Sequence, residues 1–212
     1  HAPAEAPAED IKAHQAEFPG LRKERAILMA MLKHLDNGVG DIVRKLKREG
    51  LFDNTILFFL TDNQRWDMMG AAGNPIIQTP NMDKMAAAGV RLANAFVTTP
   101  ICAASRASIL TGLYRRRHQF TFLEPPLRSE FTNISYPRLL RDSGYRTGYV
   151  GKFGIESHGE LLVENECQTL EKMFDYFQIV KGPGYPIDVA NLVLFLSCDE
   201  SRFINGEMIN VD

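Results

Sequence analysis

Residues Ile101–Gly112 read ICAASRASILTG, a run of small side chains that holds one cysteine and one arginine. Cys102 and Arg106 are four residues apart, so on a helix both side chains lie on the same face, one turn from each other. Two interpretations follow from this spacing. The pair is either a chemical site, or the start of a small-residue helix with a buried thiol and a surface guanidinium.

A second run, NTILFFLTD at Asn54–Asp62, is almost continuously apolar and ends in polar residues. This pattern predicts a parallel strand that is buried on both faces and whose C-terminal end is directed at a site. Asp62 and Asn63 stand at that end and offer hard oxygen ligands. The alternative is that both residues have a structural role, as a helix N-cap or in a turn after the strand.

Helical and strand patterns alternate along the rest of the chain. From Leu21 to Gly50 apolar residues recur at helical spacing, and Gly50 suits the end of that helix. Further helices and strands are predicted in alternation at Asn81–Gly89, Val90–Val97, Tyr136–Ser143, Tyr145–Val150, Ile187–Ser197 and Gly206–Asp212. This order predicts an α/β fold with a mainly parallel sheet flanked by helices.

The composition limits the classes of function. The chain has 212 residues and a formal net charge of −2, which gives no reason to expect binding of nucleic acid. Its apolar runs are shorter than the roughly 20 residues of a membrane span, so membrane insertion is not expected. Cys102, Cys167 and Cys198 contain no CxxC pair and indicate neither a disulfide framework nor a zinc site. The basic run Arg115–His118 is predicted to be a solvated loop.

Three segments follow one another along the chain and carry a resemblance to a known family. They are TDNQRWDMMGAAGNPIIQTPNMDKMAAAGVRLANAF, TTPICAASRASILTGLYRRRHQF and GYRTGYVGKFG. Together they resemble the N-terminal half of a formylglycine-dependent sulfatase. The most specific part is Cys-x-Ala-x-Arg followed by Leu-Thr-Gly, which is similar to the modification signature of that family. The resemblance implies an alkaline-phosphatase-like core, here incomplete.

The resemblance also implies a chemistry and a set of site residues. A formylglycine-generating enzyme would oxidise Cys102 to an aldehyde, whose hydrate attacks the sulfur of a sulfate ester and then expels sulfate. Arg106 would steady the formylglycine, and Lys152 would pair with a sulfate oxygen. Ca²⁺ or Mg²⁺ would be held by Asp62, Asn63 and the modified Cys102. The implied substrates are sulfate esters, including sulfated polysaccharides, and the implied location is periplasmic or secreted.

The chain departs from the family pattern in its order and at single positions. AMLKHLDNGVGDIVRKLKREGLFDNTILFFLTDN resembles a segment that comes late in sulfatases, yet it stands first here. LTDN therefore stands in the place of two metal-ligand pairs of the family, the late Asp-Asn pair and the early Asp-Asp pair. Asn63 carries no charge where the early pair would have Asp. Gly154 occupies the place of the histidine in a Lys-x-His motif. No matching motif surrounds the remaining candidates, which are expected to be exposed or hydrogen-bonded structural histidines: His34, His118 and His158.

The last segment, PGYPIDVANLVLFLSCDESRFINGEMINVD, resembles the C-terminal helix and strand of short-chain dehydrogenases/reductases. The chain has no glycine-rich dinucleotide loop, and Tyr176 and Lys181 are five residues apart instead of four. Three regions are thus predicted: a flexible N-terminal segment at 1–20, a sulfatase-like α/β region at 21–178, and the dehydrogenase-like helix and strand at 179–212.

Three functions are compatible with these patterns. The first is a sulfatase-like hydrolase of sulfate esters that uses formylglycine and a divalent cation. The second is a non-catalytic, recombined or truncated sulfatase-like fragment, which the unusual segment order favours. The third is an NAD(P)-dependent short-chain reductase, which only the last segment suggests.

Overall fold

The computed structural model describes residues 6–62, 64–121, 127–155, 170–179 and 208–209. Within them, helices and short strands form a mixed α/β structure with a small parallel sheet. The helices are α1 (Ala8–Glu17), α2 (Lys23–Arg48), α3 (Pro80–Ala88), α4 (Cys102–Thr111), α5 (Arg115–His118), α6 (Ser129–Thr132) and α7 (Tyr136–Asp142). The strands are β1 (Gly148–Gly151), β2 (Tyr176–Ile179) and β3 (Met208–Ile209).

The sheet has the order β2-β1-β3, and both strand pairs are parallel. Tyr149 of β1 is in register with Phe177 of β2 and with Met208 of β3. β3 lies within the segment predicted as a C-terminal strand, Gly206–Asp212, and its two described residues pair with β1. The predicted helix Ile187–Ser197 lies outside the described residues.

The main core joins α4 to the sheet. Small residues on α4 allow it to approach closely, and Tyr149 of β1 stacks obliquely against Phe174, with 5.2 Å between ring centroids. Burial of one large side chain, such as the fully buried Phe120, contributes about 1.5–3 kcal/mol. This core fixes the position of α4 relative to the C-terminal end of β1. Its members are Ala103, Ala107, Leu110, Phe120, Tyr149, Phe153, Ile155, Leu170, Met173 and Phe174.

The long helix predicted between Leu21 and Gly50 is confirmed as α2. Its end at Gly50 is confirmed as well: this glycine has φ +71, its N–H bonds to the carbonyl of Lys47, and the N–H of Leu51 bonds to the carbonyl of Leu46. A left-handed residue with these two bonds satisfies carbonyls that the end of a helix leaves without partners.

Residues 1–20 were predicted to be a flexible segment, but the structure has α1 at Ala8–Glu17. The reason is a tertiary contact that local sequence does not reveal. Asp10 of α1 accepts bonds from Lys33 at 3.0 Å and His34 at 2.8 Å, both on α2. A surface helix with little amphipathic pattern is thereby tied to its longer neighbour.

The predicted strands at Asn54–Asp62 and Val90–Val97 are wrong. The first region holds a short 3₁₀ helix, Phe52–Asn54, and a single bridge residue, Phe58. The second contains no strand, and its side chains are exposed, Phe96 by 87%. β structure depends on pairing with a neighbouring strand. Within these two runs the described residues show such pairing only at Phe58, as a single bridge.

Two other predicted helices and one predicted strand are present in the structure. The helices at Asn81–Gly89 and Tyr136–Ser143 are confirmed as α3 and α7, and the strand at Tyr145–Val150 appears later, as β1. The basic run Arg115–His118 forms the short helix α5 instead of a loop, although its three arginines are solvated as expected. No helix among the described residues is long and apolar enough to cross a membrane.

The start of α3 is capped by a side chain of α2. Asp36 is 1% exposed, and its carboxylate accepts the backbone N–H groups of Asn81 and Met82 and the side-chain amide of Asn81. Gly40 makes room for this contact, because a Cβ at that position would lie 2.5 Å from the amide oxygen of Asn81. A buried carboxylate therefore supplies the partners that the first turn of α3 requires.

We expect Asp36→Asn to lower the free energy of unfolding by about 1–3 kcal/mol, because the new amide N–H₂ replaces an acceptor that faces buried donors. Asp41→Asn is the matched control, since Asp41 is an exposed residue of the same helix paired with Arg44; its effect should stay within about 0.5 kcal/mol. Urea unfolding measures both. Equal effects of the two substitutions would contradict the capping role of Asp36.

Candidate active site

The site begins at the N-terminus of α4. Ile101 is extended and Cys102 is the first helical residue, with Arg106 one turn further on. Arg106 is buried, with 6% exposure, whereas Cys102 is half-buried. The alternative of a buried thiol with a surface guanidinium is therefore wrong, since the guanidinium is the more buried of the two groups. Both side chains contact the same carboxylate.

That carboxylate belongs to Asp62. Its Oδ2 lies 2.5 Å from Nζ of Lys152 and 3.8 Å from Nη2 of Arg106, and its Oδ1 lies 3.6 Å from Sγ of Cys102. The structure thus brings four of the five predicted site residues together, from three separate segments of the chain. Asn63, the fifth, lies outside the described residues. Asp62 lies in a bend and not at a helix N-cap, and it also contacts the other three residues of the site.

Arg106 is held by the backbone that follows β1. Its Nη1 donates to the carbonyl oxygen of Lys152 at 2.6 Å, and the hydroxyl of Tyr149 donates to the same oxygen at 2.5 Å. Tyr149 is 4% exposed and was not predicted as a site residue. Its place in GYVGKFG, three residues before Lys152, was the only signal in the sequence, and the bond itself depends on how the chain turns after the strand.

Gly154 lies against the same arginine. It has φ +65, and a Cβ there would be 3.0 Å from Cδ of Arg106. Glycine is therefore the residue that this backbone and this packing favour. Gly154, which stands at the sequence position of the family's histidine, leaves room for the aliphatic part of Arg106.

Charge explains the ionisation of Asp62. Burial by itself would raise its pKa, but the hydrogen bond and the charge of Lys152, with smaller contributions from Arg106 and Cys102, lower the pKa below the ordinary value of 3.8. The carboxylate is therefore ionised at neutral pH. Among the described residues, one carboxylate thus lies beside the two cationic side chains of Lys152 and Arg106.

The described residues do not fit a divalent cation. Ca²⁺ requires about six to eight oxygen ligands, several of them carboxylates. No group of three or more His, Cys, Asp or Glu side chains in the described part of the chain is arranged to hold a metal ion. Asp62 is the one described acidic residue of the predicted ligand set, and its carboxylate is already bonded to Lys152. The predicted cation site is thus not formed by the residues that the structure describes.

His118 has a structural role, as predicted. It is fully buried, its Nδ1 accepts the backbone N–H of Phe120 at 3.1 Å, and its Nε2 lies 3.0 Å from the hydroxyl of Ser108. Burial and the charge of Arg115 lower its pKa, which keeps the imidazole neutral. His34 pairs with Asp10, away from the site, and His158 lies outside the described residues.

Comparison with known protein families identifies the family of the chain. The model of the sulfatase family, described as Sulfatase, matches residues 60–178, which is more than half of the chain. The chain belongs to the sulfatase family.

Individual sulfatases are also similar to the chain. The chain is 34% identical over 127 residues to an N-acetylglucosamine-6-O-sulfatase of Bacteroides thetaiotaomicron, which covers 60% of this chain and 20% of the relative. It is 35% identical over 103 residues to an ulvan-active sulfatase of Formosa agariphila, covering 49% of this chain and 20% of the relative. The chain thus matches about a fifth of the length of these relatives.

A solved structure supports the fold. The structure of BT4656 in complex with its substrate D-glucosamine-2-N,6-O-disulfate superposes with a TM-score of 0.57 at 25% identity. The match covers 74% of this chain and 34% of that one. The described fold is therefore part of an alkaline-phosphatase-like sulfatase core, as the sequence predicted.

The lowered pKa of Asp62 predicts a defined pH dependence. A carboxylate with a lowered folded-state pKa adds stability above its ordinary pKa and loses that contribution as the pH falls through the folded value. The difference in unfolding free energy between the wild type and Asp62→Asn should be constant from pH 7 to about pH 5 and should shrink as the pH falls further, through the ordinary pKa of 3.8 and then the lowered folded value. Chemical denaturation across this range measures it.

Asp142→Asn serves as the control, because Asp142 forms an exposed ion pair with Arg138. Exposed pairs contribute about 0–1 kcal/mol, so this variant should track the wild type at every pH. A difference between wild type and Asp62→Asn that grows as the pH falls would be incompatible with the ion pairing described for Asp62.

Proposed function

We propose that this site hydrolyses sulfate esters, with a nucleophile derived from Cys102 by conversion to formylglycine. The observation that carries the proposal is the convergence of Cys102, Arg106 and Lys152 on the carboxylate of Asp62. Membership of the sulfatase family supports the same reaction.

The position of Cys102 suits both the modification and the reaction. It is half-buried at the first turn of a ten-residue helix, where both a modifying enzyme and a substrate could reach it. Backbone N–H groups at a helix N-terminus carry partial positive charge and favour a bound anion such as a sulfate group. An aldehyde at this position supplies, when hydrated, an oxygen nucleophile for the sulfur of the ester.

Lys152 and Arg106 have different roles in binding the substrate. Lys152 is the more accessible, with 34% of its side chain exposed, and its ammonium group can pair with a sulfate oxygen. Arg106 is buried and fixed by the carbonyl of Lys152, so it keeps a positive charge beside the nucleophile at small entropic cost. Preorganised charges of this kind stabilise the negative charge that develops during transfer.

Asp62 has two functions in this proposal. It orients Lys152 and Arg106, and its Oδ1 is directed at the reacting position of Cys102. Because the lowered pKa keeps this carboxylate ionised, it can accept a hydrogen bond from a hydroxyl group formed there and hold that group in place. The divalent cation that the family resemblance implies has no role in these steps, since the described donors do not fit it.

The relatives indicate a substrate class. One is named for a sulfated N-acetylglucosamine and one for ulvan, and the solved neighbour holds a glucosamine disulfate. We propose a sulfated sugar, including sulfated polysaccharides, as the substrate, a formylglycine-generating enzyme as a partner, and a periplasmic or secreted location. The comparisons favour neither the non-catalytic fragment nor the NAD(P)-dependent reductase.

Peptide mass spectrometry tests the modification. In protein from a host with a formylglycine-generating enzyme, we expect a peptide containing Cys102 that is lighter by the exchange of a thiol for an aldehyde. Wild-type protein from a host without that enzyme gives the mass of the unmodified peptide. A fully unmodified thiol would refute the proposed nucleophile.

Steady-state hydrolysis of a chromogenic sulfate ester tests the role of Lys152. Lys152→Ala should lower kcat/KM by about 10²–10³, the usual effect of removing one preorganised charge-stabilising group. Lys172→Ala removes an exposed lysine outside the site and should leave the rate within about twofold of the wild type. Equal rates for the two variants would exclude a catalytic role of Lys152.

The fit of the site to a cation leads to a separate prediction. Because Asp62 is bonded to Lys152, we expect millimolar Ca²⁺ or Mg²⁺ to leave the Tm of the protein unchanged. A ligand that binds only the native state raises the free energy of unfolding by RT ln(1 + [L]/Kd). A clear increase in Tm would therefore show that residues beyond the described donors complete a cation site. Thermal unfolding with and without EDTA measures this.

A further inference from the structure

A basic surface lies at the other end of α4. We define the arginine patch as Arg115, Arg116 and Arg117 of α5 together with Arg128, which directly precedes α6. All four arginines are exposed, and the sulfate-ester site makes no use of them. The run Arg115–His118 was predicted to be a solvated loop. The spatial arrangement of these arginines decides whether they can also bind a ligand.

One buried ring holds two parts of the patch together. The guanidinium of Arg128 lies 4.7 Å from the centroid of Phe131, and that of Arg117 lies 6.0 Å from the same centroid. Phe131 is 2% exposed, so its position is fixed by the core. Cation–π contacts on a fixed ring bring two guanidinium groups from different segments to one place on the surface.

The patch carries a local excess of positive charge. Glu130 pairs with Arg128 at 3.0 Å. Within the described part of the chain, no carboxylate forms an ion pair with Arg115, Arg116 or Arg117. In a chain whose net charge is −2, this is a concentrated positive region that attracts multivalent anions.

The patch is distant from the bond that the site would cleave. Cys102 is the first residue of α4 and α5 follows its last turn, so ten residues of helix separate the two regions by about 15 Å. A single sulfate group cannot occupy both places. A long sulfated chain presents many sulfates at once, and arginine is suited to bind them in pairs of parallel hydrogen bonds.

We propose that the arginine patch is a second binding site, which holds sulfate groups of a polymeric sulfated glycan away from the sulfate that is hydrolysed. This proposal rests on the proposed function for its choice of polyanion. Binding at the patch raises the local concentration of sulfate esters near the site by tethering the polymer. It adds nothing for a small sulfate ester.

Binding of fluorescently labelled heparin, a densely sulfated glycan, tests the proposal without requiring turnover. The variant Arg115→Gln/Arg116→Gln/Arg117→Gln should bind about tenfold more weakly at low ionic strength, and the slope of log Kd against log salt should fall in magnitude by about 2–3, near one for each lost ion contact. The control Arg22→Gln/Lys23→Gln/Arg25→Gln removes the same charge from exposed positions and should bind like the wild type.

Further variants keep the result interpretable. Arg115→Gln/Arg116→Gln spares the contact with Phe131 and should still weaken binding, which separates lost charge from a disturbed fold. Cys102→Ala should bind heparin as the wild type does, so failure of the hydrolase proposal and failure of the patch are distinguishable. Equal loss in both triple variants, equal affinity for desulfated heparin, or tighter binding of a DNA oligonucleotide than of heparin would overturn the proposal.

Discussion

The carboxylate of Asp62 is the interaction on which the candidate site depends. It bonds to Lys152, lies near Arg106 and contacts the thiol of Cys102, so it connects a loop, a helix N-terminus and the turn after β1. Arg106 is 6% exposed, and a buried guanidinium without a counter-charge would cost several kcal/mol. Removal of the carboxylate would take away the negative charge that Lys152 and Arg106 share.

The helices were largely predictable because their signals are local. Apolar spacing and the glycine end signal located α2, and a proline at the first turn with a glycine after the last turn suits α3. The strands at Asn54–Asp62 and Val90–Val97 were not predictable, because an apolar run reports burial only where a neighbouring strand covers it. α1 escaped prediction for a related reason, since its bonds to Lys33 and His34 join residues far apart in the sequence.

The residues of the candidate site were likewise predictable only where local spacing or the family resemblance located them. Spacing placed Cys102 and Arg106 on one face, and the family resemblance added Asp62 and Lys152. Neither signal revealed that Tyr149 and Arg106 share the carbonyl of Lys152, because that bond depends on the turn after β1. The cation site was predicted from the family resemblance and from the oxygen ligands that Asp62 and Asn63 offer, whereas in the structure the carboxylate of Asp62 is bonded to the ammonium group of Lys152.

The ion pair described for the site requires that Asp62 and Lys152 are energetically coupled in the folded protein. A double-mutant cycle of Asp62→Asn and Lys152→Met, followed by chemical unfolding at pH 7, isolates that coupling from the separate effects of each substitution. The pair is partly buried, with 18% and 34% of the two side chains exposed, so a coupling of about 1 kcal/mol is expected. Strictly additive effects of the two substitutions would contradict the account of the site given above.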